Sequence, residues 1–144
     1  MSEPGPKSPP APLEVTLDWE RGLRFRGRSG ETQVALDSPP RDGGFSPVQA
    51  LGFALAGCMA MDVASILERG RLDLRGLRVR LVATRAAEHP KRLLAADLTF
   101  TVEEAVPPDR VARAIELSHE RYCSVWHSLR EDVELTTSSE VLSG

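Results

Sequence analysis

Past a proline-rich start, the chain alternates apolar and polar residues in short runs. LEVTLDW (13–19), LRFRGR (23–28) and TQVALD (32–37) each show the two-residue period of a half-buried strand, separated by turn-forming Arg-Gly and Ser-Gly pairs. Three short antiparallel strands are predicted. SPPRDGGFS (38–46) is rich in Pro and Gly and predicts a loop. The period then changes. Ser46 suits an N-cap and Pro47 the first helical position, so a helix is predicted from Pro47 to about Arg69, with Gly70 as its stop.

That helix is apolar on nearly every side, because Leu51, Phe53, Leu55, Met59, Met61, Val63, Ile66 and Leu67 cannot share one face. It is expected to be buried all round, and since a small sheet covers only one side, a second copy of the chain is expected to cover another. A membrane span is the competing reading of the uncharged run 43–61, but Gln49, two glycines and then Asp62 interrupt it. LRVRLVAT (77–84) and AADLTFTV (95–102) alternate again and predict a hairpin around His89-Pro90. VPPDRVARAIELSHERYC predicts a second helix with Asp109 as N-cap. SVWHSL (124–129) predicts a further helical turn, and DVELTTS (132–138) a closing strand. This order is α+β, with antiparallel sheets packed on a long central helix, and it lacks the regular alternation of a doubly wound parallel sheet.

The 144 residues have the length of one ordinary domain, expected over 13–144 behind a flexible tail over 1–12. The tail carries five prolines in twelve residues and no apolar leader segment, which leads us to expect a cytoplasmic protein. Eighteen Lys and Arg stand against 21 Asp and Glu and are scattered, so no footprint for nucleic acid emerges. No glycine-rich phosphate loop is present. Two cysteines, 65 residues apart, are too few for a disulfide scaffold and lack the paired spacing of a structural zinc site, so no metal is expected.

The remaining question is what those cysteines do. Cys58 sits mid-helix between Gly57 and Met59, where a plain buried thiol is the bland reading. Cys123 ends the second helix beside Arg121 and four residues before His127, and either cation could favour its thiolate.

Taken together, SPVQALGFALAGCMAM, His89-Pro90 and AIELSHERYCSVWHSL resemble landmarks of the OsmC/Ohr family, the osmotically inducible and organic hydroperoxide resistance proteins. The likeness runs from about residue 15 to 141, and Cys58 follows Pro47 by the family's eleven positions. The resemblance implies an intertwined homodimer acting as a thiol peroxidase. In it Cys58 would attack an organic hydroperoxide, Cys123 would resolve the sulfenic acid, and an external dithiol would reduce the disulfide, with no bound cofactor. It also implies an arginine beside the thiolate, for which Arg41 in the loop is preferred over Arg21 in the first strand turn. The family's partner glutamate is replaced: the candidate positions hold Val48 and Gln49, and a Gln hydrogen-bonds but carries no charge. Gln49 and Cys58 are nine residues apart on one helix, about 14 Å along its axis, so any role for Gln49 at the thiol requires a second copy. The alternatives are a dimer of the same fold that binds a small hydrophobic ligand without catalysis, and one in which both cysteines are core filler.

Overall fold

The computed structural model describes residues 7–103 and 105–142, and of the expected tail residues 1–6 lie outside the described residues. Residues 7–12 are exposed and without regular structure. The chain divides into two compact units, one ending at Gln49 and one beginning at Ala50.

In the first unit, β1 (Thr16–Arg21), β2 (Arg24–Ser29) and β3 (Thr32–Leu36) form an antiparallel sheet in the order β1-β2-β3. The three strands are those the alternation predicts, with the first placed a few residues later. Gly22 and Gly30 turn the chain at φ +51° and +58°, the left-handed region that tight hairpins need and side chains resist. Gly27 is small for a packing reason. A Cβ there would come within 3.1 Å of both Leu17 and Val34, so its absence lets those cross-strand side chains close over it. The loop after β3 folds back along that strand: Asp37 N donates to Phe45 O (3.1 Å), and Phe45 N donates to Ala35 O (3.1 Å).

Helix α1, Pro47–Arg69, begins at the end of the first unit and runs through the second. Its start is fixed by a reciprocal cap: Gln49 N donates to Ser46 Oγ (3.1 Å) and Ser46 N donates to Gln49 Oε1 (3.0 Å). Its last residue is the one expected, but the left-handed residue of the exit is Arg71 (φ 60°) rather than Gly70. A Cβ at Gly70 would meet the tip of the Arg110 side chain, which can move aside, and would reach the Leu67 and Ile66 carbonyls only at 3.4 and 3.5 Å.

The second unit carries β4 (Leu77–Arg85), β5 (Leu93–Glu103) and β6 (Glu134–Leu142) in the order β4-β5-β6. β4 and β5 form the predicted antiparallel hairpin. β6 corrects the expectation of purely antiparallel sheets: it starts at Glu134, runs to Leu142 and pairs with β5 in parallel. A parallel partner requires a long crossover, and helix α2 (Pro108–Leu117) with its following turns supplies it. Asp109 is not the N-cap of α2. Pro107, at φ −59° and ψ 135°, holds that position because a residue before proline is pushed to extended backbone, and Pro108 then opens the helix with Asp109 in its first turn.

The core of the second unit joins Leu55, Met59, Val63 and Leu67 of α1 to Ala96, Leu98, Phe100 and Val102 of β5 and to Val111, Ala114 and Ile115 of α2. The four α1 residues recur every fourth position and form one stripe. By length and composition α1 would also cross a membrane, yet this stripe is packed into the unit's own core. The expectation that α1 is buried all round is corrected for the single chain, where Phe53 and Met61 are 67% and 73% exposed. Beside the stripe, Ala56, Cys58 and Ile66 are partly buried against the same core.

Candidate redox site

The stripe that buries α1 also aims Cys58 and Asp62. These two are four residues apart, hence stacked on one helix face, and both are half-buried. The second contributor is the segment after α2. Instead of ending, the helix widens into a π-helical turn over Ser118–Tyr122, in which Cys123 N donates to Ser118 O (2.8 Å). Cys123 then leaves in extended backbone (φ −73°, ψ 99°), and a 3₁₀ turn over Trp126–Ser128 follows, the further helical turn that the sequence predicts.

This arrangement puts Ser118 and Cys123, both fully buried, against α1. Ser118 Oγ donates to Asp62 Oδ2 at 2.8 Å. The Cys58 Sγ, Cys123 Sγ and one Asp62 carboxylate oxygen all lie within 4.8 Å of one another. Both cysteines are free thiols. The sulfur of Cys123 is further held by the Trp126 N–H at 3.3 Å. Burial pushes the Cys123 thiol up to about 11; the Trp126 N–H pulls the other way, and Cys58 beside it adds to the rise.

That direction corrects one expectation. Arg121 and His127 do not act on the Cys123 thiol. The Arg121 guanidinium lies over the Tyr122 ring, 5.5 Å from its centroid, and His127 Nε2 donates to the His119 carbonyl at 2.9 Å. The π-helical turn carries the Arg121 side chain, and the following 3₁₀ turn that of His127, to other partners. The acceptor Asp62 and its support Ser118 are the functional candidates that the residue pattern did not single out. The signal was present: a carboxylate one turn after a cysteine, inside an otherwise apolar helix.

The remaining residues of the expected site belong to the first unit. Arg21 is exposed at the end of β1, opposite Arg24. Arg41 is 56% exposed in its side chain, with Nε 3.8 Å from Asp37 Oδ2 and donating to Pro39 O at 3.4 Å. Gln49 is exposed, and its carboxamide oxygen is occupied by the helix cap. Buried among these is Arg24. Its guanidinium donates to Asp37 Oδ2 (3.4 Å), Arg41 O (3.1 Å) and Asp42 O (3.0 Å) and lies 3.7 Å from Glu20 Oε1.

A pair of adjacent free thiols, one half-buried and one enclosed, can pass between dithiol and disulfide; with a neighbouring carboxylate it can also present three donors to a soft cation. Comparison with known proteins agrees with the landmarks in the sequence. The family described as OsmC-like protein matches residues 40–138. Protein YhfA of Escherichia coli (strain K12) is 37% identical over 133 residues, covering 91% of this chain and 99% of its own. Among solved structures, a hypothetical protein from Aquifex aeolicus VF5 superposes with a TM-score of 0.84 at 23% identity, covering 92% of this chain and 97% of its own. A protein from Legionella pneumophila named an organic hydroperoxide resistance protein OsmC superposes at 0.70 and 13% identity, covering 93% and 100%. Those two likenesses concern the fold. With the family match over 40–138 and the YhfA identity along nine-tenths of its length, this chain belongs to the OsmC-like protein family.

Proposed function

We propose that the protein is a cysteine-based peroxidase that reduces organic hydroperoxides. The observation that carries this reading is the approach of Cys58 and Cys123, whose sulfurs lie within 4.8 Å of each other as free thiols. Cys58 is the half-buried one and therefore the one a peroxide can reach. Its thiolate attacks the O–O bond, an alcohol leaves, and a sulfenic acid remains on Cys58. The Cys123 thiol condenses with it, a disulfide forms and water departs. An external dithiol then returns both thiols, with no bound cofactor. The cytoplasm, where such reductants are kept reduced, suits the cycle.

The apolar surroundings favour a greasy peroxide over hydrogen peroxide, because an alkyl group gains from leaving water. Arg41, and Arg21 after it, are the candidates to hold the attacking sulfur as thiolate. The proposed form is a homodimer in which a second copy covers the apolar residues the single chain leaves in water, Phe53 and Met61 of α1 among them. Names borne by proteins of the same fold point the same way, as with the Legionella protein above.

One observation favours a second reading, a dimer that binds a small hydrophobic ligand without turnover: Gln49 has no charge, and its side-chain oxygen is engaged at the helix cap. The two readings separate in a peroxide-consumption assay with an excess of small dithiol. The proposal expects turnover in the parent and none in Cys58→Ser, with the variant still folded and of unchanged mass by light scattering. Equal consumption by parent and variant would overturn it, and ligand-dependent stabilisation with no consumption would establish the binding protein instead.

A further inference from the structure

Spacing along the chain argues against a metal site, because Cys58 and Cys123 are 65 residues apart and neither has a close cysteine neighbour. Folding removes that objection. It assembles two thiols and a carboxylate from α1 and the π-helical turn, with their donor atoms within 4.8 Å of one another.

The chemistry of this donor set is selective. Zn–S bonds run about 2.3 Å and Zn–O bonds about 2.0–2.2 Å, so tetrahedral ligands around one ion stand roughly 3.5–3.8 Å apart. At the 4.8 Å limit, the donors would have to close by about 1 Å to meet that spacing. Cys58 and Asp62 are half-buried and have room to adjust, whereas Cys123 is enclosed and its sulfur is held by a backbone N–H. Two soft sulfurs exclude magnesium and calcium, which require shells of oxygen. The Asp62 carboxylate is already oriented by the Ser118 hydroxyl at 2.8 Å, the outer support that metal-binding carboxylates generally have. The Trp126 N–H at 3.3 Å from Cys123 Sγ supports negative charge on that sulfur.

We infer that the dithiol form of the protein binds one zinc ion through Cys58 Sγ, Cys123 Sγ and a carboxylate oxygen of Asp62, leaving the fourth position open. Binding exchanges the two thiol protons for the ion. The site exists only in the reduced protein, since a disulfide has no thiolate to offer. A consequence rests on the peroxidase reading above: when a hydroperoxide takes two electrons from the paired thiolates, the disulfide forms, the peroxide takes up two protons to give alcohol and water, and zinc is released. The same cluster would then link peroxide to free zinc.

The test uses the full chain, reduced and freed of reductant, titrated with zinc in competition with a chromophoric chelator, and with cobalt as a spectroscopic probe. One zinc per chain is expected, with thiolate-to-cobalt charge-transfer absorption. Asp62→Asn should weaken binding by about tenfold or more, Cys58→Ser should remove the cobalt absorption, and the exposed Asp97→Asn should change nothing. Because both informative positions are half-buried, circular dichroism can verify that each variant is folded. Zinc affinity unchanged in folded Asp62→Asn, cobalt absorption retained in Cys58→Ser, or equal affinity in the disulfide form would overturn the inference. Adding one equivalent of cumene hydroperoxide to the zinc-loaded protein separates the two claims: release of zinc supports both, and zinc that stays bound keeps the site while contradicting the peroxidase reading.

Discussion

The molecule contains two polar clusters of opposite character. In the first unit, Arg24 is 7% exposed and commits its guanidinium to Asp37 and to the carbonyls of Arg41 and Asp42. Every partner there is matched, and the cluster ties the 38–46 loop to the sheet. In the second unit, the half-buried Cys58 and Asp62 meet the enclosed Cys123, yet the sulfurs are reduced and the carboxylate has a single hydroxyl donor, Ser118, among the described residues. A satisfied cluster stabilises; a cluster with unused valence can react or bind. The difference separates a structural arginine from a chemical cysteine more clearly than residue type does, because the sequence points to Arg41 ahead of Arg21 and does not single out Arg24, the arginine that is buried.

Breaking each cluster should therefore have different consequences. The largest effect is all-or-none: Cys123→Ser is expected to stop multiple turnover while Cys58 still forms one sulfenic acid per chain, detectable by a sulfenate-trapping reagent and intact mass. A variant that cycles at the parent rate would remove Cys123 from the resolving role. Next in size, Arg24→Met should cost up to about 3–5 kcal/mol in urea denaturation, since it removes the buried guanidinium from the Asp37 carboxylate and leaves only the exposed Arg41 and the Ser38 N–H beside it. A loss below about 1 kcal/mol would mean that the pair behaves like an exposed one.

Ser118→Ala, between these clusters in character, should cost about 1–2 kcal/mol because it removes the buried donor of Asp62. The pH dependence sharpens the comparison further. The Cys123 thiol titrates near 9.0 when unfolded and about 11 when folded, so its contribution to stability is complete below pH 9 and lost as the pH rises through 11. Cys123→Ala should flatten that alkaline decline, and an unchanged profile would place its cause elsewhere. The smallest effect belongs to Gln49→Glu. The reciprocal cap with Ser46 survives the change, and the added charge at a helix N-terminus should stabilise by about 0.3–1 kcal/mol.

Much of this architecture is legible before folding. Ser46-Pro47 and Arg69 bracket α1 because caps and proline act locally, and the strands of both sheets follow the two-residue period of their own segments. What escapes is set at a distance. The parallel pairing of β6 depends on where α2 returns the chain, and the π-helical turn over Ser118–Tyr122 has no period of its own to betray it. The one-sided burial of α1 within the chain is hidden because an all-round apolar helix does not reveal which side its own chain covers. The cysteines stand out through spacing and family likeness, but their cationic neighbours in sequence, Arg121 and His127, serve Tyr122 and His119 instead. Asp62 escapes notice because an acid in an apolar run reads as an interruption, although its four-residue offset from Cys58 already places it on the thiol's face.

The central claim, that the paired thiols form a redox unit, is tested most directly by counting thiols and weighing the intact reduced protein before and after one equivalent of cumene hydroperoxide, with Cys58→Ser alongside. The account predicts that the parent loses two thiols and about two mass units per chain, as one disulfide forms, while the variant forms none. Two intact thiols and an unchanged mass in the parent would contradict it.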